Sequence, residues 1–188
     1  MRPLVLNHAV AAAIFFPVYA AWVVWELVLQ RRTGTPDRTR MSEVIATTAG
    51  SVLIFPASAV GLRLPGPKWL PVVVGIALLV AGWAFRAWAV RTLGRWFKVT
   101  VTVEPGQQVV DFGPYRLIRH PSYTGILVAL LGSGIALDSW ASVAVAVVLP
   151  LLAILRRIGE EEAILLRELG TPYTDYMRRT WRLVPGVW

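Results

Sequence analysis

The chain has 188 residues, of which 56% are hydrophobic and only 16% are charged, and its formal net charge is +8. A soluble domain of this length must cover its surface with polar groups, so the composition predicts an integral membrane protein. The sequence contains no cysteine and only two histidines, His8 and His120. Disulfide and thiol chemistry are therefore excluded, and we expect no metal site.

Five apolar segments follow one another along the chain, at about residues 4–29, 44–62, 69–90, 123–137 and 140–155. A helix needs roughly 20 apolar residues to cross the hydrocarbon core. The last two segments are short, so they form either two spans or one re-entrant hairpin. We favour spans, because local thinning of the bilayer accommodates short helices. The expected fold is an all-α membrane protein with about five transmembrane helices.

Most basic residues fall on one side of this five-span arrangement: Arg31, Arg32, Arg38, Arg40, Arg91, Arg95, Lys98, Arg116, Arg119, Arg156, Arg157, Arg178, Arg179 and Arg182. The opposite loops hold Arg63, Lys68 and Asp138. The positive-inside rule then predicts an outside N-terminus and a cytoplasmic C-terminus, in the cell (inner) membrane. Because this accounts for the net charge, nucleic-acid binding is not expected.

One cation, Arg86, falls inside the third apolar segment, between Trp83 and Trp88. A charge at membrane depth is costly and tends to face a cavity or a partner. Arg86 also lies within about one turn of the cytoplasmic end of this segment, where a long side chain can reach the interface. We therefore interpret it as a snorkelling residue, with a buried partner as the alternative.

Polar sequence dominates the two remaining stretches, the connector before the fourth segment and the C-terminal end of the chain. The C-terminal stretch begins with "RRIGEEEAILLRELG", whose apolar residues recur at helical spacing up to a stop at Gly170. A second short helix, "TPYTDYMRRTW", follows it. We expect these two helices to form a separate cytoplasmic segment against the bilayer surface. The chain then divides into a three-span region, residues 1–95, and a core, residues 96–188.

Three polar clusters, "GPYRLIRHPSYTG", "RRIGEEEA" and "YTDYMRRTWR", flank the fourth and fifth segments on the predicted cytoplasmic side. If these segments form a hairpin, the clusters meet at its mouth. Arg119 and His120 suit a carboxylate, and the run Glu160 to Glu162 suits a cation. Gly125, which lacks a side chain, lets a ligand approach the backbone. A ligand that carries both charges fits such a mixed pocket.

The order and spacing of these motifs resemble the isoprenylcysteine carboxyl methyltransferase family, together with the related phospholipid N-methyltransferases. An R-H-P-x-Y-x-G heptad comes first, then a hydrophobic hairpin and a pair of glutamates. About one helix later follows G-x-x-Y-x-x-Y-x-x-R. The resemblance covers about Trp96 to Trp188, half of the chain.

This resemblance implies an S-adenosylmethionine cofactor, converted to S-adenosylhomocysteine and enclosed near the cytoplasmic face by the connector Val99 to Tyr115. The implied cofactor-binding residues are Tyr115, Arg119, His120, Pro121, Tyr123, Gly125, Glu161 and Glu162. The implied catalytic residues are Arg179, Glu161 and Glu162, and Arg179, Tyr173 and Tyr176 would contact the substrate. Gln107 stands where many relatives have a histidine, which weakens any role for that position.

The function we expect is carboxyl O-methylation of a lipophilic or lipid-tethered acceptor. A carboxylate is already ionised at neutral pH and needs only orientation, whereas an amine must first lose a proton, to Glu161 or Glu162. N-methylation of a lipid amine is the nearest alternative. A non-catalytic membrane protein that binds a lipid or another ligand, or a structural scaffold, is an alternative of another class.

Overall fold

The computed structural model describes residues 5, 8–32, 38–60, 62–97 and 106–188, with side chains left out at residues 32 and 38–43. Within these ranges, six α-helices can be given bounds: α1 (Ala9–Arg32), α2 (Arg38–Ala57), α3 (Trp69–Leu93), α4 (Pro121–Ala136), α5 (Trp140–Leu169) and α6 (Thr171–Arg178). Two 3₁₀ turns cover Gly94–Trp96 and Gly113–Arg116. The described residues contain no strand, so the prediction of a helical protein is confirmed. Residues 99–105 of the predicted connector lie outside the described residues.

In the part of the chain that the structure describes, three helical stretches are long and apolar enough to cross a membrane, namely Ala9–Arg31, Trp69–Trp96 and Trp140–Leu169. Two shorter apolar helices, Val44–Ala57 and Pro121–Ala136, accompany them. The predicted apolar segments therefore all form helices, as an integral membrane protein requires. Whether the two shorter helices also cross the bilayer, giving five spans, stays a prediction.

The helix α5 is a single element of 30 residues that runs from Trp140 to Leu169. We expected the span to end near residue 155 and a separate amphipathic helix to follow, and this expectation is wrong. No proline falls between the two parts, and Arg157 pairs with Glu161 one turn further along the same helix. Helical order therefore continues through Gly159. As a result, the acidic run stands on the same rod as the membrane span.

Four glycines bring α3 and α4 into backbone contact as antiparallel neighbours. A Cβ added at Gly75 or Gly82 would meet backbone atoms of α4, and one at Gly132 would meet backbone atoms of α3. At Gly125, the added Cβ would lie 2.7 Å from the Cβ of Arg86. Small residues allow such close approach between membrane helices. The interpretation that Gly125 opens the backbone to a ligand is wrong, because α3 fills that space.

The turn between α4 and α5 closes one end of the bundle. Asp138 adopts a left-handed φ of 51° there, and Ser139 caps α5 by accepting a hydrogen bond from the Ser142 amide at 3.4 Å. At the opposite end, Pro121 begins α4 beside the last turns of α5. Because its first backbone group needs no helical partner, proline is well suited to this position. The start of α4 and the acidic run of α5 thus share one end of the molecule.

Candidate functional site

The imidazole of His120 lies between the two glutamates of α5. Its Nδ1 is 3.4 Å from Glu161 Oε2, and its Nε2 is 3.4 Å from Glu162 Oε1. His120 is buried and directly precedes α4, whereas both glutamates lie on the long helix α5. The predicted meeting of the heptad with the acidic run is confirmed.

Glu162 holds three parts of the chain together. Its Oε1 accepts a hydrogen bond from Arg119 Nε at 2.8 Å, and its Oε2 accepts one from Arg182 Nε at 2.9 Å. The Glu162 side chain is only 4% exposed. Since each oxygen of this carboxylate contacts an arginine from another part of the chain, Glu162 joins α5, the heptad and the C-terminal tail, residues 179–188.

Glu161 keeps more access to its surroundings. Its Oε1 accepts hydrogen bonds from the Tyr123 hydroxyl at 2.8 Å and from Arg157 Nε at 3.2 Å. The Glu161 side chain is 18% exposed, whereas that of Arg157 is 1% exposed. Of the two predicted glutamates, Glu161 is therefore the more exposed.

Arg157 is a site residue that the sequence interpretation missed. It was counted only among the charges of the cytoplasmic side, yet its guanidinium is buried beside Glu161. The spacing of four residues between them on one helix is the signal that could have found it. Arg182, which binds Glu162 from the tail, had no comparable signal because it comes 20 residues later in the chain.

The cluster carries a surplus of positive charge. Three buried or half-buried arginines, Arg119, Arg157 and Arg182, and the imidazole of His120 surround two glutamates. Burial alone would lower the pKa of His120, but its contacts to the glutamates raise the pKa above the usual value of 6.5. The glutamates thus stabilise the imidazolium, which adds to the positive charge of the cluster.

The C-terminal tail is attached to the heptad through its backbone. The Arg119 amide donates to the Trp181 carbonyl at 2.7 Å, and the His120 amide donates to the Arg182 carbonyl at 3.0 Å. The Arg119 guanidinium also donates to the Met177 carbonyl at 2.9 Å. These bonds position Arg182 against Glu162, although the two residues are distant in sequence.

Three tyrosines predicted for the site, Tyr115, Tyr173 and Tyr176, lie where α6 packs against the 3₁₀ turn Gly113–Arg116. The Tyr176 hydroxyl donates to the Tyr115 carbonyl at 2.8 Å, and the Tyr173 and Tyr176 rings lie 5.8 Å apart. All three side chains are buried, and burial raises the pKa of each phenol, so they stay neutral. Tyr176 thus fixes the turn that leads into the heptad, while contacts of these tyrosines with a ligand stay a prediction.

Arg179 lies apart from the buried cluster. Its guanidinium donates to Asp111 at 2.8 Å, and the two side chains are 61% and 49% exposed. It faces a cavity of about 470 Å³, here called the C-terminal cavity, which is lined by Arg119, Met177, Arg178, Arg179, Thr180, Trp181, Arg182, Val187 and Trp188. Its predicted role as the arginine that holds a substrate carboxylate stays a prediction.

Arg86 does not snorkel to the interface. It is 3% exposed, and its guanidinium contacts both oxygens of Glu26 on α1, at 2.6 and 2.8 Å. It also donates to the Ser122 carbonyl at 3.2 Å and to the Ser122 hydroxyl, in the first turn of α4. The preferred interpretation is therefore wrong and the alternative, a buried partner, is correct, because a charge at this depth needs compensation. Glu26 was missed by the sequence interpretation.

Comparison with known proteins identifies relatives of this architecture. The model of the isoprenylcysteine carboxyl methyltransferase (ICMT) family matches residues 74–167. Protein-S-isoprenylcysteine O-methyltransferase A of Arabidopsis thaliana is 32% identical over 130 residues, which cover 67% of this chain and 66% of that protein. A probable protein-S-isoprenylcysteine O-methyltransferase of Oryza sativa subsp. indica is 29% identical over 121 residues, 63% of either protein. The chain thus spans about two thirds of the length of these relatives.

The fold also has a solved counterpart, the structure of the eukaryotic intramembrane Ras methyltransferase ICMT. The two chains share 24% sequence identity with a TM-score of 0.58, over 92% of this chain and 54% of the other. This likeness shows a common membrane fold. The family-model match covers half of the chain and includes the heptad and both glutamates. The resemblance inferred from the motifs is therefore confirmed, and the chain belongs to the isoprenylcysteine carboxyl methyltransferase family.

Proposed function

We propose that this chain is an integral membrane methyltransferase that transfers a methyl group from S-adenosylmethionine to the carboxylate of a lipophilic or lipid-tethered acceptor. The observation that carries the proposal is the buried, cation-rich cluster around Glu161 and Glu162, at the end of the membrane-crossing helices. Relatives in the same family are named as O-methyltransferases of S-isoprenylcysteine proteins.

The charges of the cluster fit a zwitterionic methyl donor. Glu161, the more accessible glutamate, would face the ammonium or sulfonium of the donor, with the Tyr123 hydroxyl fixing its orientation. Arg119 and His120 would offer positive charge to the donor carboxylate. When bound, S-adenosylmethionine supplies an electrophilic methyl group. Pro121, Tyr115 and the connector that precedes it complete the pocket in this proposal.

A carboxylate acceptor suits the cation that is buried deepest in the cluster. Arg157 lies beside Glu161 with 1% of its side chain exposed, so a carboxylate next to it meets positive charge in water-poor surroundings. Arg179, exposed and paired with Asp111, is the second candidate for this role. Tyr173 and Tyr176 would support the acceptor from α6.

Amine methylation fits these surroundings less well. An amine acceptor has to give up a proton, and the base would have to be one of the two glutamates. Both carboxylates accept hydrogen bonds from cations of the protein, and such bonds stabilise the ionised form and weaken the base. A carboxylate needs no base, and the protein has only to orient it and exclude water.

The arginines near the buried cluster also support an orientation of the protein in the membrane. Eight arginines lie just before α4, on the second half of α5, or on and after α6, namely Arg116, Arg119, Arg156, Arg157, Arg167, Arg178, Arg179 and Arg182. The positive-inside rule favours the cytoplasm for such an end. In this proposal the site faces the cytoplasm and the acceptor enters from the inner leaflet of the cell membrane.

The test uses the full chain in detergent with radiolabelled S-adenosylmethionine and a farnesylated cysteine that has a free carboxylate. We expect a base-labile methyl ester, and no label on the methyl ester of the same compound or on phosphatidylethanolamine. A base-stable product on the lipid amine would replace this proposal with N-methylation. Folded protein that binds neither the donor nor S-adenosylhomocysteine in calorimetry would support the non-catalytic alternative.

A further inference from the structure

The C-terminal cavity combines indole rings and Arg178, which have no role in the proposed reaction, with Arg179, which is only the second candidate there for the acceptor carboxylate. Its walls include the arginines Arg178 and Arg179 and the tryptophans Trp181 and Trp188. The residues that contact Glu161, namely Tyr123, Arg157 and His120, do not line it. A volume of about 470 Å³ lies in the range of small-molecule sites. The cavity is therefore distinct from the buried cluster, although Arg119 and Arg182 border both.

The tail is folded into a wall around this cavity. The Leu183 amide donates to the Trp188 carbonyl at 3.1 Å, and the Trp188 amide donates to the Val184 carbonyl at 3.2 Å. Within this loop the Arg182 guanidinium lies 4.7 Å from the centre of the Trp188 ring. This stacking holds an arginine and an indole at fixed positions beside each other.

The cations of the cavity exceed the acids that accompany them. Arg178 pairs with Asp175 at 3.3 Å, and Arg179 pairs with Asp111 at 2.8 Å. Both pairs are exposed, with 76% and 61% of the arginine side chains accessible, so water screens them. Arg119 and Arg182 share one acid, Glu162. Four guanidinium groups thus face three carboxylate side chains, and each guanidinium carries five N–H donors.

The rim of the same cavity is apolar. Trp181, Val187 and Trp188 are 45%, 75% and 38% exposed, and Val184 beside them is 48% exposed. Exposed tryptophans next to arginines are typical of the level at which a bilayer meets water. The Arg119 amide donates to the carbonyl of Trp181, a residue of the cavity, so the cavity lies beside the first turn of the apolar helix α4. A free anion in water makes no apolar contacts with such a rim, whereas the glycerol and acyl chains of a lipid do.

We propose that the C-terminal cavity binds the phosphate headgroup of an anionic phospholipid. The guanidinium groups of Arg178 and Arg179 donate to the phosphate oxygens, and the indoles contact the glycerol and the upper part of the acyl chains. The lipid anchors the C-terminal tail at the membrane surface. It is linked to the buried cluster through Arg182, which lines the cavity and contacts Glu162. This inference does not depend on the proposed reaction, because the binding is measured without turnover.

The test compares Arg178, which lines the cavity, with Arg156, which does not. Arg178 and Arg156 are 76% and 71% exposed, and each pairs at 3.3 Å with an acid about one helical turn away. Full-length protein in dodecylmaltoside micelles is titrated with dioleoylphosphatidylglycerol, and native mass spectrometry counts the bound lipid. Arg178→Gln should weaken binding about fivefold, the loss expected for one cation near an anionic headgroup. Arg156→Gln should leave binding unchanged.

A second variant acts in the opposite direction. Asp175→Asn frees Arg178 from its acid partner and should strengthen phosphatidylglycerol binding, which general damage to the fold would not do. Dioleoylphosphatidylcholine should bind several-fold more weakly, and millimolar inorganic phosphate should not displace phosphatidylglycerol.

Four results would overturn the inference. Equal losses in Arg178→Gln and Arg156→Gln would mean that the basic surface binds lipid diffusely. Equal binding of both lipids would remove the role of the phosphatidylglycerol charge. Displacement by inorganic phosphate would identify a site for a free anion. Displacement by S-adenosylhomocysteine would mean that the cavity belongs to the methyl donor.

Discussion

Two arginines, Arg157 and Arg179, show how differently the same kind of ion pair behaves in two regions of this molecule. The Arg179 pair with Asp111 is the shorter, at 2.8 Å against 3.2 Å for Arg157 with Glu161. The Arg179 side chain is 61% exposed, however, and that of Arg157 only 1%. Water screens the first pair, whereas the second acts through a medium of low polarity. Burial, and not distance, decides which arginine can dominate the charge of a bound anion.

The largest expected effect concerns the stability of the buried region. Glu162→Gln leaves Arg119 and Arg182 without the carboxylate that both contact, and removing one member of a buried pair costs about 3–5 kcal/mol. We expect the free energy of unfolding in detergent to fall by that amount. Asp111→Asn, which removes the exposed partner of Arg179, should cost less than about 1 kcal/mol. Similar losses in both variants would contradict the comparison.

The pair between Arg86 and Glu26 provides a second buried case, in the interior of the bundle. Arg86→Leu should destabilise the protein by about 3–5 kcal/mol, because it leaves Glu26 buried at membrane depth without a cation. The double variant Glu26→Gln with Arg86→Leu should regain a large part of this loss. Thermal unfolding of the two single variants and the double variant measures the coupling between the residues. Additive losses would mean that the two side chains do not compensate each other.

Substitutions in the two regions should also differ in their effect on methyl-transfer activity. Arg157→Gln should lower kcat/KM for a prenylated carboxylate about 100-fold, as expected when a reactant loses its orientation. Arg179→Gln should change it less than about threefold, because an exposed charge contributes little. Calorimetry with S-adenosylhomocysteine checks that Arg157→Gln still folds and binds the donor product. The reverse order of effects would restore the role that the motif spacing implies for Arg179.

The smallest expected effect is the pH dependence of stability. The glutamate contacts raise the folded pKa of His120 above the unfolded value of 6.5. Its contribution to stability is therefore complete below pH 6.5 and is lost as the pH rises through the folded pKa. As the pH rises from about 6.5, the wild-type unfolding temperature should fall more than that of His120→Gln. Parallel profiles would mean that the pKa of His120 is the same in the folded and the unfolded protein.

Much of the fold could be predicted because its signals are local. Each apolar segment forms a helix, since a bilayer leaves the backbone few alternatives. The meeting of His120 with Glu161 and Glu162 followed from the order of the motifs around a hairpin. The extent of α5 was missed because a change in composition at Arg156 was interpreted as a boundary, although no residue there interrupts a helix.

The remaining features depend on contacts between distant parts of the chain. The cost of burying Arg86 could be predicted, but its partner Glu26 lies 60 residues away on another helix. The same applies to Arg182, which reaches Glu162 because backbone hydrogen bonds attach the tail to the heptad. Gly125 was misinterpreted because a missing side chain looks the same in sequence whether a ligand or a helix fills the space.

The unbroken length of α5 links the bilayer to the acidic residues mechanically. The helix has 30 residues, or about 45 Å at 1.5 Å per residue, and Glu161 and Glu162 stand near its far end. A helix that is longer than the hydrocarbon core adapts to a thinner or thicker membrane by tilting. Pro150 lies inside this helix, and from there to the glutamates the helix continues without a break, so a change in the tilt of this part moves the carboxylates relative to the lipid surface. Membrane thickness thereby becomes a variable that acts directly on the geometry of the charged cluster.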